Sequence, residues 1–142
     1  MFENLGFSFQ VREDHNLTLV GFSKGVVVLN QIVRELLQVE DQIFLKISSM
    51  IWLDGGHNGG KDIWITDKRL LKSLVDKNIK IDVRVTPYQV KNSNRPWIAK
   101  EEKLFTSTLH KLGADVNRKL YFEEEPASID NHFNVIKTLK DY

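Results

Sequence analysis

One short stretch, residues 17–28, constrains this chain more than any other. It contains the motif G-x-S-x-G, with Gly21, Ser23 and Gly25 at the fixed positions, between an apolar run typical of a buried strand and an apolar run of helical length. In this setting the motif predicts a nucleophile elbow, a sharp strand-to-helix turn that lifts the serine hydroxyl above the sheet. The glycines are expected to let the strand and helix backbones approach closely. The alternative is a plain strand–turn–helix in which Ser23 caps the helix, but this gives no reason for both glycines.

The remaining hydrophobic pattern alternates between strand and helix. Strands are predicted at residues 17–21, 50–53, 79–86 and 119–122, and helices at residues 26–37, 67–77, 97–112 and 131–139. Such alternation predicts an α/β fold, with a mostly parallel sheet of about four strands flanked by helices. Residues 79–86 alternate strictly between apolar and polar side chains, so this strand is expected to be half-solvated. The length of 142 residues is enough for a single domain spanning residues 1–142.

Composition and missing motifs exclude several classes of function. The net charge of +1 gives no basic face for nucleic acid, and no apolar run approaches the roughly 18 residues of a membrane span. The absence of cysteine excludes disulfides and a cysteine nucleophile. The four histidines lack metal-ligand spacing, so no metal is expected. No cofactor is expected either, because the glycine-rich loop at residues 55–60 lacks the P-loop ending and no dinucleotide fingerprint is present; this disfavours a small Rossmann-like binding domain.

The chain contains serine, acid and histidine in the order used by α/β-hydrolases. Ser23 is the candidate nucleophile, His132 the candidate base, and Asp54 the candidate acid because it directly follows a predicted strand. Asp130 and Glu125 are closer to His132 in sequence, so the identity of the acid stays open.

Three further residues are candidates for binding. The backbone N–H of Lys24, at the start of the predicted helix, would point at a developing oxyanion. Phe22, beside the serine, is a candidate substrate-binding residue. His57, in the glycine-rich loop, could line the mouth of the site and bind substrate, or could simply close the turn.

Two segments are distinctive in combination: residues 21–31, GFSKGVVVLNQ, and residues 52–60, WLDGGHNGG. Together they resemble the family of mitochondrial proteins named for chromosome 2 open reading frame 69, and residues 86–90 and 131–133 are similar to the same family. The resemblance runs from about residue 17 to the C-terminus. It implies an α/β-hydrolase-like fold, a mitochondrial location and a hydrolase activity of undefined substrate. Ser23, Asp54 and His132 map onto a triad for that activity.

The resemblance also predicts that the chain is a fragment. An α/β-hydrolase sheet has strands before the elbow strand, whereas only about 16 residues precede it here. The chain would then be the C-terminal half of the fold, truncated at its N-terminal side and without the transit peptide. A partner chain or the missing half would cover the free edge of the elbow strand. One oxyanion donor would also be missing.

The leading hypothesis is therefore a serine hydrolase acting on an ester, thioester or amide, with an activity that truncation could abolish. The alternative is a non-catalytic α/β-hydrolase-like scaffold that binds a partner or a small molecule.

Overall fold

A computed structural model describes residues 16–36, 46–56 and 60–142 of the chain. The strands are β1 Leu17–Phe22, β2 Ile47–Leu53, β3 Lys80–Val85 and β4 Val116–Leu120. The helices are α1 Val26–Leu36, α2 Lys68–Asp76, α3 Pro87–Val90, α4 Pro96–Lys111 and α5 Ile129–Asn134. A 3-10 turn, Ser23–Gly25, joins β1 to α1, and a 3-10 segment, Val135–Asp141, continues α5. Residues 129–141 are called the C-terminal helix below.

The four strands form one sheet in the order β1-β2-β3-β4, and every neighbouring pair is parallel. Each parallel connection must cross over the sheet, which is why helices separate consecutive strands. The predicted α/β fold, with about four parallel strands flanked by helices, is therefore confirmed. In the part of the chain described here, no helix is long and apolar enough to cross a membrane.

The larger core lies between the sheet and helices α1, α2 and α4. Its centre holds three aromatic side chains: the Phe105 ring lies 5.1 Å from that of Trp52 and 5.2 Å from that of Trp64. One polar group is buried with them. The Asn30 side chain accepts from Trp52 Nε1 at 3.1 Å and donates to the Ile63 carbonyl at 2.6 Å, so its hydrogen-bonding groups are satisfied.

The C-terminal helix covers the opposite face of the sheet, where Val135 packs against Ile51 and Leu53 of β2. This helix makes the half-solvated prediction for β3 wrong. The polar side chains of Asp82 and Arg84 are only 4% and 7% exposed, because the C-terminal helix lies over them. The alternation correctly assigned apolar and polar side chains of β3 to opposite faces of the sheet. Both faces are covered, however, so neither is solvated.

Some local boundaries also differ from the predictions. The last strand begins at Val116, earlier than predicted. Its start was missed because β4 lies at the edge of the sheet, where its middle residues are polar and exposed and give no apolar pattern. Helix α2 is capped by Asp67, whose side chain accepts from the Arg69 backbone N–H at 2.9 Å. Leu104 is an apolar residue of α4 but is 50% exposed.

Candidate active site

The turn between β1 and α1, where the sequence predicts an elbow, has an unusual backbone conformation. Ser23 adopts φ 54°, in the left-handed region that residues other than glycine rarely occupy. It begins the 3-10 turn that leads directly into α1. Such a conformation costs energy and projects the side chain away from the strand, so the Ser23 side chain is half-buried rather than packed into the core.

Gly21 explains how the elbow closes. A Cβ at Gly21 would lie 2.8 Å from the Gly25 carbonyl oxygen and 2.8 Å from Leu29 Cγ, so only glycine allows β1 and α1 to approach this closely. Among the described residues, no atom lies within 4 Å of a Cβ built at Gly25. Within this part of the chain, close packing therefore accounts for Gly21 and not for Gly25, so the expectation that both glycines serve it is not met there.

Three side chains that are far apart in the sequence meet above the carboxyl ends of the strands. His132 Nε2 lies 3.0 Å from Ser23 Oγ, and His132 Nδ1 lies 2.7 Å from Asp54 Oδ2. Ser23 follows β1, Asp54 follows β2, and His132 is on α5, which begins after the loop that follows β4. In a parallel sheet these strand ends share one edge, which is where functional sites of α/β proteins form.

Asp54 is held rigidly from several directions. The Thr86 backbone N–H donates to its Oδ1 at 2.7 Å, and the Thr86 hydroxyl donates to its Oδ2 at 2.5 Å. The Asp54 backbone N–H donates to the Arg84 carbonyl at 2.7 Å, and its φ is 43°. The Asp54 side chain is completely buried. These contacts fix the direction in which its free lone pairs face His132.

The hydrogen-bond network assigns the histidine tautomer. Because the Asp54 carboxylate can only accept, the neutral His132 ring carries its hydrogen on Nδ1 and leaves Nε2 as an acceptor. The Ser23 hydroxyl then donates to Nε2 at 3.0 Å. The Gly56 carbonyl is a second acceptor for the same hydroxyl, but it lies farther away, at 3.4 Å. The resting network therefore directs the serine proton toward the histidine.

Aromatic rings hold the imidazole in this orientation. The rings of Phe22 and Tyr88 both stack against His132 at centroid distances of 4.7 Å, tilted by 32° and 31°. Phe133 lies edge-on to His132 at 5.5 Å and contacts Phe22 at 5.6 Å. Phe22, a predicted substrate-binding residue, thus contacts the candidate base. Sequence reasoning assigned no role to Thr86 or Tyr88, although both lie in the segment 86–90 that resembles the family and that follows β3 at the same edge of the sheet.

The other candidate residues lie as follows. Lys24 directly follows Ser23 at the start of the helical turn, where backbone N–H groups have no partner within the helix. Asp130 and Glu125 are exposed, and the carboxylate beside His132 is that of Asp54. His57 lies outside the described residues.

Nothing in the described ranges groups three or more histidine, aspartate or glutamate side chains as a metal site would require.

The chain is similar to proteins of one family. The C2orf69 family model matches residues 7–115, which is more than half of the chain. A zebrafish (Danio rerio) relative, named mitochondrial protein C2orf69 homolog, is 52% identical over 127 residues, covering 86% of this chain and 37% of the relative. The human (Homo sapiens) relative, named mitochondrial protein C2orf69, is 44% identical over 127 residues, covering 86% of this chain and 33% of the relative. The mouse (Mus musculus) relative, named mitochondrial protein C2orf69 homolog, is 43% identical over 125 residues, covering 84% of this chain and 34% of the relative.

The chain thus spans about a third of the length of the curated relatives it matches. Their names confirm the mitochondrial location that the resemblance predicted. No solved structure matches the chain.

Proposed function

The chain belongs to the C2orf69 family, and we propose that it carries the catalytic centre of a serine hydrolase acting on an ester, thioester or amide. One observation supports the proposal above all others: the continuous hydrogen-bonded series from Ser23 Oγ through both nitrogens of His132 to the buried Asp54 carboxylate. Both distances lie in the range expected of a nucleophile, a base and an orienting acid.

Each residue has a role in the proposed reaction. Ser23 Oγ attacks the substrate carbonyl carbon while His132 Nε2 takes the hydroxyl proton. The Asp54 carboxylate stabilises the imidazolium that results and keeps the ring in the required tautomer. His132 then returns the proton to the leaving alcohol, thiol or amine as the acyl-enzyme forms. A water molecule, deprotonated by His132, then attacks the acyl carbon; the bond to Ser23 Oγ breaks, the carboxylic acid leaves and His132 returns the proton to Ser23 Oγ.

The oxyanion that develops on the carbonyl oxygen needs donors aimed at it. In the proposed mechanism the Lys24 N–H supplies one of them, from the start of the helical turn. We expect a second donor, because losing one donor of such a hole typically lowers the rate by about 10²–10³-fold. In the α/β-hydrolase pattern this donor comes from a loop that precedes the elbow strand, which here would lie outside the described residues.

One edge of β1 is free, which leaves room for a further strand beside the elbow. β1 is the outermost strand of the described sheet, and no described residue pairs with its outer edge. Val20, in the middle of this strand, is 44% exposed. An unpaired edge with exposed apolar residues tends to associate with another strand. We expect another part of a longer protein, or a partner chain, to cover this edge, and residues 1–142 to contribute to a single domain.

The proposal is tested by turnover of p-nitrophenyl esters and acyl thioesters of increasing chain length. The assay compares the 142-residue chain with the full-length zebrafish relative, and each with its Ser23→Ala counterpart. Turnover that requires the serine supports the hydrolase. A folded full-length protein that turns over no acyl substrate, or does so equally well without the serine, contradicts it and favours the non-catalytic scaffold.

A further inference from the structure

We propose that Arg84 is a positioning residue that sets the distance between His132 and Asp54. The inference rests on the proposed function for its catalytic consequence, but its geometric part can be tested without any activity. Arg84 touches none of the three reacting side chains. It acts through the two elements that carry the histidine and the acid.

The side chain of Arg84 is anchored at one end and binds the C-terminal helix at the other. Its Nε and Nη2 donate to the two carboxylate oxygens of Asp82, each at 3.1 Å. Its Nη1 donates to the Thr138 carbonyl at 2.7 Å and to the Thr138 hydroxyl at 2.8 Å. The planar guanidinium therefore connects β3 to the helix that carries His132 through a fixed geometry.

The backbone of Arg84 acts on the other partner. Its carbonyl accepts the Asp54 N–H at 2.7 Å, and two residues later Thr86 donates both its backbone N–H and its hydroxyl to the Asp54 carboxylate. One strand end thus holds the acid directly and holds the base through the Arg84 side chain. A shift of the C-terminal helix relative to β3 would change the 2.7 Å separation between His132 Nδ1 and Asp54 Oδ2.

The surroundings keep this guanidinium charged and oriented. Its hydrogen bonds with Asp82 raise the pKa of Arg84 against the opposing effect of burial, and the charge of that carboxylate adds to the increase. The rings of Tyr121 and Tyr142 lie 5.9 Å and 5.8 Å from the guanidinium carbon. The guanidinium is thus contacted by Asp82, Thr138 and two tyrosine rings. It is buried although an uncharged side chain would cost less desolvation free energy at this position.

Energetics favour a role in geometry over one in stability. Desolvation offsets much of the attraction in a buried ion pair, so replacing both partners with apolar residues of similar volume is often neutral or stabilising. Removing one partner alone leaves a buried charge without compensation and is strongly destabilising. What the Asp82–Arg84 pair supplies, and apolar residues would not, is a directional link to Thr138.

The decisive variant therefore replaces both charges, as Asp82→Leu with Arg84→Met. A matched control exists on the opposite face, where Arg118 pairs with the buried Glu102 at 2.6 Å between β4 and α4. Glu102→Leu with Arg118→Met removes an ion pair on the face away from the C-terminal helix, although the Arg118 side chain is 37% exposed and that of Arg84 only 9%. Thermal unfolding and circular dichroism establish that both double variants fold.

Two measurements read the position of His132. The first is the low-field proton resonance of the Nδ1–H···Asp54 hydrogen bond, assigned by its loss in His132→Gln. The second is the rate of covalent labelling of Ser23 by a fluorophosphonate. We expect the Asp82→Leu/Arg84→Met variant to lose or shift the resonance and to label about 10²-fold more slowly, the size of effect that a misplacement of about 1 Å produces. The control variant should match the parent in both.

The proposal is overturned if the folded Asp82→Leu/Arg84→Met variant keeps the parent resonance and labelling rate, or if the control pair changes them equally. Should the double variant not fold, Arg84→Lys decides by the same readouts, because an ammonium keeps the charge but cannot reproduce the fork to Asp82 and Thr138. If Ser23 in the parent is never labelled, the proposed function fails. The resonance then still tests the role of Arg84.

Discussion

Replacing Gly21 with alanine should destabilise the protein by closing the space between β1 and α1. The added Cβ would lie 2.8 Å from the Gly25 carbonyl oxygen, 2.8 Å from Leu29 Cγ and 2.9 Å from Leu29 Cδ1. The Leu29 side chain is buried and the Gly25 oxygen belongs to the backbone, so neither can move away freely. The strand and the helix must then separate at the elbow.

The expected magnitude follows from two opposing effects. Overpacking a well-packed site typically costs about 1–3 kcal/mol. Alanine also lowers the conformational entropy of the unfolded chain, which recovers about 0.4–1 kcal/mol relative to glycine. The net loss should be about 1–2 kcal/mol, or roughly 3–8 °C in Tm for a chain of this size.

Gly25→Ala is the matched control, because it makes the same chemical change in the same motif. A Cβ there meets no described residue within 4 Å, and Gly25 does not have a positive φ. This variant should be as stable as the parent or more stable by up to about 1 kcal/mol. Urea denaturation followed by circular dichroism measures both variants, with unchanged m-values required for the comparison. A Gly21→Ala variant as stable as the parent, or an equal loss of stability in both variants, would show that close packing at Gly21 does not hold β1 against α1.

Two further substitutions test the surroundings of the site. Asp54→Asn should lower the rate of fluorophosphonate labelling of Ser23 by about 10⁴-fold, because an amide facing His132 favours the wrong ring tautomer; unchanged labelling kinetics would exclude this role. Glu101→Gln should speed hydrogen exchange of the backbone amides of residues 62–64, which all donate to the Glu101 carboxylate, and should lower stability by about 1–3 kcal/mol. Unaltered exchange at these amides would contradict it.

The order of strands and helices could be predicted because hydrophobic periodicity reports which face of each element is buried. The same signal could not show what covers the polar face of β3. Asp82 and Arg84 form a buried ion pair whose partner helix lies about fifty residues later in the chain. A solvated polar face and a buried, paired polar face have the same pattern in sequence, so the pattern alone favoured the commoner case.

Sequence also predicted the three candidate residues of the site but not the residues that orient them. Motif spacing and chain order pointed to Ser23, Asp54 and His132, and the fold brings these side chains together. The residues that orient them lie in the segment 86–90, which resembles the family but whose sequence alone indicates no role. Thr86 and Tyr88 contact Asp54 and His132 only because the ends of parallel strands converge at one edge of the sheet.

In the proposed mechanism, Ser23 is a nucleophile activated by His132. The decisive experiment treats the folded protein, and the full-length zebrafish relative, with a fluorophosphonate and locates the adduct by peptide mass spectrometry. We expect one adduct, on Ser23, that is absent from Ser23→Ala and forms orders of magnitude more slowly in His132→Ala. A folded full-length protein with no adduct at this serine, or with the same labelling rate in His132→Ala, would contradict it.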